Sequence, residues 1–372
     1  MLIYFALLLI GIILYYNDKF NTKSAVLLML LMFLITGLRD VSIGIDTESY
    51  MMEYHYMTSD ARREPLFVLS ISLMKSINAS DNTWLMFVSF LIYLPYTYAI
   101  VKYSKVPVMS ALLFMVSSSL FFLDGMNGIR QWIASGFALL AFILRSRGNL
   151  VKSLACVLLA VGFHLSSIII LPFLFVKGIK LDKIVAYGIV VVSAMIGFML
   201  SNMDISSFTD DYVALVSGYG GYGSEKLMSY SNLGYLENTT NWKYYLLCIL
   251  PISAICISSY YNHPLNAEAA EKKRRMIFKI KPDNWYLYTI FIIAIPLLNI
   301  ASTAIAYGHR LAFAFITTQL ICMPEAYARG SKKQRSVINI VVFYFLLFFI
   351  YYVIKNNGAR IGSVVPYKFF FE

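Results

Sequence analysis

Three arginines and one histidine are the side chains in this sequence best suited to bind a phosphate group. Arg39, Arg130 and Arg310 each stand at or near the end of a long apolar segment, and His164 interrupts another. A guanidinium group at the edge of a membrane must meet an anion, a carbonyl group or water, and its planar donors fit phosphate and carboxylate oxygens. We expect these side chains to meet around an anionic ligand. Ion pairs with carboxylates inside the protein are the alternative.

A second group of side chains could accept or orient a hydroxyl proton. The candidates are a histidine and three loop acids: His164, Asp46, Glu48 and Glu64. A neutral imidazole can do this near neutral pH. Among the acids Asp46 is favoured, because its neighbours Gly44 and Thr47 suit a tight, hydrogen-bonded turn. The ordinary alternative is that His164 is a packed core residue and that the acids are solvated or pair with Arg39.

The elements that must position these side chains are membrane-spanning helices. The chain is 59% hydrophobic and 14% charged, against about 25% charged residues in ordinary soluble domains. Its apolar residues form blocks close to the ~20 residues that a helix needs to cross ~30 Å of hydrocarbon. We predict an all-α, polytopic membrane bundle in which residues 1–372 form one transmembrane domain of about 12 helices, within a range of 11–13. The predicted spans are 2–16, 24–38, 83–101, 107–123, 130–144, 150–163, 165–177, 184–201, 242–261, 285–305, 311–327 and 337–354.

The loop charges predict which side each loop faces. Basic loops, among them 262–283, should be cytoplasmic, and the acidic loops 39–82 and 202–241 should be external. This alternation requires that the apolar piece 65–77 forms a re-entrant or interfacial helix, and that 150–177 goes out and back. The three arginines and the histidine then lie on the outer side.

Several function classes are excluded or disfavoured. The net charge of +11 would indicate nucleic acid in a soluble protein, but the positive-inside rule explains it here, so we expect no nucleic-acid partner. No cysteine or histidine spacing predicts a metal site, and we expect neither a metal nor a cofactor. The apolar N-terminal segment 2–16 lacks a basic start and a cleavage site, so it is predicted to be a retained span.

Short elements along the chain, taken in order, resemble the EpsG family of bacterial exopolysaccharide proteins, which is related in role to Wzy-type O-antigen polymerases. Each element alone is weakly specific, whereas the ordered set is fairly specific. The elements are Gly37-x-Arg39-Asp40, Gly44-x-Asp46-Thr47-x-x-Tyr50, Glu64-Pro65, Lys102-Tyr103-Ser104, Asn127-x-x-Arg130-Gln131-x-x-Ala134, Phe163-His164-x-Ser166, Arg310 after a short turn, and Pro366-Tyr367-x-Phe369.

The resemblance implies a multi-pass protein of the bacterial inner (cytoplasmic) membrane whose active site faces the periplasm or the outside. Its implied activity is metal-independent glycosyl transfer, in which undecaprenyl-pyrophosphate-linked oligosaccharide repeat units are joined into a polysaccharide. The implied partners are that lipid-linked oligosaccharide, membrane lipid and a chain-length regulator protein.

The resemblance also implies roles for individual residues. Arg130 and Arg310 would stabilise the departing pyrophosphate, and Asp46 or His164 would act on the acceptor hydroxyl. The implied substrate-binding residues are Arg39 as a third donor, Tyr50, Glu64, Asn127, Gln131 and Tyr367. Three other activities fit the same outer-face cations: an O-antigen-ligase-like glycosyltransferase, a flippase or transporter of lipid-linked oligosaccharide, and a glycan acyltransferase. The absence of a visible internal repeat disfavours the transporter.

Overall fold

The computed structural model describes residues 1–44, 46–56, 64–117, 121–179, 183–201, 283, 285–304, 309–357 and 364–372. Within these ranges the chain forms α-helices, two 3-10 segments at Leu165–Ile170 and Pro172–Phe175, and no β-strand. Numbered over the described residues, the helices are α1 Leu2–Asp18, α2 Thr22–Gly37, α3 Thr47–Tyr56, α4 Pro65–Ser76, α5 Asp81–Tyr103, α6 Pro107–Val116, α7 Phe121–Asp124, α8 Ile129–Ser146, α9 Leu150–Phe163, α10 Lys183–Ser201, α11 Tyr286–Ala304, α12 His309–Ile316, α13 Gln319–Arg329 and α14 Lys332–Lys355.

The helices have the lengths and composition of membrane segments. Three described stretches, Asp81–Tyr103, Arg310–Arg329 and Lys332–Lys355, are long and apolar enough to cross a membrane. The other apolar helices, among them α1, α2 and α9, are shorter. The prediction of an all-α polytopic membrane protein is confirmed; the number of crossings and the side that each loop faces stay predictions.

Local sequence signals set where several helices begin. The side chain of Asn21 accepts hydrogen bonds from two backbone N–H groups at the start of α2, and Ser80 accepts one at the start of α5. Ser331 and Gln334 form a reciprocal capping box at the start of α14. Each cap satisfies backbone donors that the first helical turn leaves unpaired.

Helices α6 and α8 form the centre of the bundle. All ten residues of α6 are buried, and it packs against α1, α2, α13 and α14. Helix α8 packs against α5, α9 and α12, and Gly136 lets it approach α5, since a Cβ there would lie 2.5 Å from Cγ of Pro95. Large apolar side chains remain exposed on outer helices, as expected for a surface that faces lipid. Examples are Leu9, Leu158, Met195 and Ile340.

The structure differs from the sequence prediction in three places. The predicted external loop 39–82 contains helix α3 in addition to α4, which lies at the position predicted for the helix 65–77. That α4 is re-entrant or interfacial stays a prediction. The predicted span 107–123 is not one helix, because α6 ends at Val116 and α7 begins at Phe121. The predicted span 165–177 consists of the two 3-10 segments, since His164 is extended and Pro172 lacks the N–H group that an α-helix needs. The predicted span 242–261, the loop 202–241 and nearly all of 262–283 lie outside the described residues.

Candidate active site

The closest contact among the candidate residues joins Arg130, Glu64 and His164. Nη1 of Arg130 donates to Oε2 of Glu64 at 2.6 Å, and Nδ1 of His164 lies 3.5 Å from Oε1 of the same carboxylate. The side chains of Arg130 and Glu64 are only 10% and 9% exposed. The carboxylate therefore stands between a buried guanidinium group and a half-buried imidazole.

Three helix ends bring this triad together. Glu64 directly precedes α4, Arg130 is in the first turn of α8, and His164 directly follows α9. Helix α9 approaches α4 at Gly162, where a Cβ would lie 2.6 Å from Cγ and Cδ1 of Leu66. The absence of a side chain at Gly162 thus allows the end of α9 to place His164 beside Glu64.

The environment keeps Glu64 ionised. Burial alone would raise its pKa, but the neighbouring imidazole of His164 and the positive charge of Arg130 outweigh that effect and lower the pKa from its usual 4.5 to about 2. The carboxylate is therefore a poor proton acceptor at neutral pH. Its role is that of a fixed negative charge between two basic groups.

Two aromatic rings flank the guanidinium group of Arg130. Its central carbon lies 5.8 Å from the ring centre of Tyr50 on α3 and 5.3 Å from that of Phe67 on α4. Both distances are within the range of cation–π attraction. The Nε atom of Arg130 is buried and has no hydrogen-bond partner among the described residues. The guanidinium group is thus held by two aromatic rings and by the carboxylate of Glu64, while its Nε donor is unpaired among the described residues.

The next two residues of α8 reach other candidates. The side chain of Gln131 donates from Nε2 to the backbone carbonyl of Arg310 at 2.9 Å, and Nε1 of Trp132 donates to Oδ2 of Asp124 at 3.0 Å. Consecutive residues of a helix point about 100° apart, so residues 130–132 contact three different parts of the chain. The start of α8 is therefore the common support of the candidate site.

A half-buried carboxylate, Asp124, was not among the residues predicted from the sequence. It ends the short helix α7, and the charges of Arg310 and Asp46 both act on it. The structure thus brings Asp46, Asp124 and the exposed Arg310 into one electrostatic group beside the first turn of α8. Asp124 could have been noticed as an acid at the end of an apolar segment, directly before the turn Gly125-Met126-Asn127-Gly128.

The turn that carries Asp46 packs on this same region. Gly44 has a φ of +99°, and a Cβ there would lie 2.6 Å from Oγ1 of Thr47, 2.9 Å from the carbonyl oxygen of Met126 and 3.1 Å from Oδ1 of Asn127. Conformation and space both require glycine here. The hydroxyl of Thr47 donates to the carbonyl of Ile43 at 2.7 Å, which closes the tight turn that the sequence predicted.

A model of the EpsG family matches residues 22–369 of this chain. The chain belongs to the EpsG family. No curated protein and no solved structure matches it. Membership identifies an exopolysaccharide polymerase-type membrane protein with glycosyltransferase-like activity, and it implies a lipid-linked oligosaccharide as substrate.

Arg39 and Tyr367 of this EpsG-family chain lie where the loop that follows α2 meets the C-terminal tail. Arg39 is fully buried, and its two terminal nitrogens donate to the backbone carbonyls of Thr36 and Met126. The hydroxyl of Tyr367 donates to the carbonyl of Ile35 at 2.7 Å. Backbone hydrogen bonds from Asp40 to Lys368 and from Phe370 to Leu38 fix the C-terminal tail against the loop that follows α2. Arg39 therefore contacts the turn before α8 through the carbonyl of Met126. It does not take part in the contact of Arg130 with Glu64 and His164.

Proposed function

We propose that this EpsG-family protein joins oligosaccharide repeat units carried on undecaprenyl pyrophosphate into a polysaccharide, at the periplasmic or outer face of the cytoplasmic membrane. The observation that supports this most strongly is the contact of Arg130 with Glu64 and His164. In that contact a guanidinium group, which can bind phosphate, and an imidazole, which can accept a proton, share one carboxylate, and the protein belongs to a polymerase-type family.

Arg130 and Arg310 bind the pyrophosphate of the donor in this proposal. As the bond to the sugar breaks, negative charge grows on the leaving pyrophosphate. Cations that are held in place in a site from which water is excluded stabilise that charge best. Arg130 is buried against Tyr50 and Phe67, and its Nε donor has no hydrogen-bond partner among the described residues. Gln131 holds the backbone of Arg310 next to it. Arg130 therefore requires little reorganisation during the reaction.

His164 accepts the proton of the acceptor hydroxyl. Glu64 faces Nδ1 of the imidazole, so in the proposed site Nε2 is the nitrogen that faces the acceptor hydroxyl. A negative charge beside Nδ1 orients the ring and stabilises the imidazolium ion that forms. The hydroxyl oxygen attacks the anomeric carbon of the donor sugar, its proton passes to Nε2, and undecaprenyl pyrophosphate leaves with the bonding electron pair. The step needs no metal ion.

Asp46 is assigned to a different task from His164. Its charge acts on Asp124 together with that of Arg310, whereas the carboxylate beside the imidazole of His164 is Glu64. In the proposed site this second group holds the glycan and the guanidinium of Arg310. Asn127 and Gln131 supply amide groups in the same region, and Tyr50 completes the surface beside Arg130.

Polymerisation by the purified protein tests the proposal. The protein, reconstituted in nanodiscs, would receive a lipid-linked repeat unit and no other enzyme, and glycan length and released undecaprenyl pyrophosphate would be measured together. We expect a ladder of products, with one undecaprenyl pyrophosphate released per added unit. Transfer of a single finished glycan would instead identify a ligase, and movement across the bilayer without release would identify a flippase.

A further inference from the structure

A second basic cluster lies at the end of α5, on side chains that the proposed reaction does not use. The ammonium group of Lys102 donates to the hydroxyl of Tyr98 at 2.6 Å and lies 4.9 Å and 5.8 Å from the ring centres of Tyr98 and Tyr103. The guanidinium carbon of Arg147 lies 4.5 Å from the ring centre of Tyr103. Tyr98, Lys102 and Arg147 are exposed. The cluster includes the Lys102-Tyr103 pair of the family-like element that had no assigned role.

This cluster concentrates positive charge. The charges that act on Tyr98 and Lys102 come from Lys102, Lys152 and Arg147, and no carboxylate is among them. Within the described part of the chain, none of these three cations forms an ion pair with an acid. Cations held close together repel each other unless an anion lies between them. The arrangement therefore favours a bound anion.

The position of the cluster indicates which anion. Tyr103 is the last residue of α5, one of the three described stretches able to cross a membrane, so the cluster lies where a span meets water. Arg147 directly follows α8, whereas Arg130 is near its start, and 17 residues of helix separate the two by roughly 25 Å. The cluster is thus at the opposite membrane face from the proposed active site. Phospholipid headgroups are the abundant anions at such a boundary.

We propose that Lys102 and Arg147, which both lie over the ring of Tyr103, bind the phosphate of an anionic phospholipid headgroup, such as that of phosphatidylglycerol. The rings of Tyr98 and Tyr103 hold these two cations in place at the depth where interfacial tyrosines lie. A guanidinium group stacked on Tyr103 keeps its in-plane N–H donors available for phosphate oxygens.

Lipid binding to the full-length protein tests this inference. Native mass spectrometry would measure bound phosphatidylglycerol, with phosphatidylcholine as the zwitterionic competitor of zero net charge, for the wild type and for Lys102→Gln/Arg147→Gln. Each cation near a membrane surface contributes about 1 kcal/mol, or a factor of about five, so we expect the double variant to bind phosphatidylglycerol about 25-fold more weakly. The matched control is Lys332→Gln/Lys333→Gln, which removes the same charge at the start of α14 and should lose less phosphatidylglycerol binding than Lys102→Gln/Arg147→Gln.

Three outcomes would overturn the inference. The first is equal phosphatidylglycerol binding by wild type and Lys102→Gln/Arg147→Gln, and the second is equal loss in the control variant. The third is full competition by inorganic phosphate at the same concentration, which would show a site for free phosphate rather than for a lipid. If the double variant fails to fold, Lys102→Arg keeps the positive charge and N–H donors at this position and should retain preferential binding of phosphatidylglycerol; loss of that preference would contradict the proposal.

Discussion

Arg130 and Glu64 form a buried ion pair of 2.6 Å although 66 residues separate them in the sequence. The pair is the point at which α4 and α8 meet the end of α9, and His164 completes it. A buried ion pair is costly to desolvate and therefore adds little net stability. Removal of one partner, however, leaves the other charge buried and unpaired. Its value to the protein is therefore best explained by the chemistry of the site.

His164 and Asp46 should differ in their effect on the reaction. His164→Asn removes the proposed proton acceptor and should lower the polymerisation rate by about 10²–10⁴-fold. Asp46→Asn should lower it less and should act mainly on the KM for the lipid-linked glycan. Steady-state kinetics of both variants would measure this. Equal kcat values for His164→Asn and the wild type would exclude the histidine as the base.

Gly162 should be required for the position of His164. In Gly162→Ala the new Cβ would lie 2.6 Å from Leu66, so α9 should move away from α4 and the polymerisation rate should fall about tenfold or more. Leu66→Ala in the same chain should restore part of the rate, because it removes the clashing atoms. Gly188→Ala in α10 is the control, since no atom of the described part of the chain lies within 4 Å of its Cβ. Absence of rescue would argue against this packing relationship.

Acid should weaken the protein through Glu64. Because the folded-state pKa of Glu64 is lowered to about 2 from its usual 4.5, the contribution of this carboxylate to stability is fully present above pH 4.5 and is lost as the pH falls toward 2. Glu64→Gln should therefore lose less stability than the wild type over that interval. Thermal unfolding in detergent between pH 6 and pH 3 would measure the difference. Parallel curves for the two proteins would contradict the assignment.

Asp124 should affect the polymerisation rate through its negative charge. Asp124→Asn keeps the size of the side chain and an acceptor for Trp132 Nε1, but it removes the negative charge beside Arg310 and Asp46. We expect the polymerisation rate to fall at least about tenfold, with little change in melting temperature. Trp132→Phe, which removes only the donor, should have the smaller effect on rate. A larger loss in Trp132→Phe would indicate that the contact is structural.

Much of the fold could be predicted from the sequence, because apolar blocks and helix caps are local signals. The predicted span 2–16 corresponds to α1, Leu2–Asp18, and 83–101 to α5, Asp81–Tyr103. The predicted span 165–177 is not an α-helix, since Pro172 and the extended His164 interrupt it. The pattern of apolar blocks does not predict the backbone conformation of individual residues within a block, such as His164.

The candidate site could be predicted only in part. Residue types and their positions at segment ends identified Arg130, His164 and Glu64, but no local signal tells which distant carboxylate an arginine will meet. A pairing of Arg39 with Asp46 or Glu64 was the expected alternative; the guanidinium group of Arg39 instead donates to the carbonyls of Thr36 and Met126. Asp124 was missed because it directly follows a predicted span, 107–123, and its neighbours Arg310 and Asp46 are remote in sequence.

The most direct measurement of the central claim is the polymerisation rate of purified Arg130→Lys. Lysine keeps the positive charge but loses the planar set of donors that Arg130 shares between Glu64 and the proposed pyrophosphate. We predict at least a 10²-fold lower rate at an unchanged melting temperature. Arg329→Lys, in an exposed pair with Glu325, is the control and should retain the wild-type rate. A folded Arg130→Lys protein that makes chains of normal length at the wild-type rate would contradict the account.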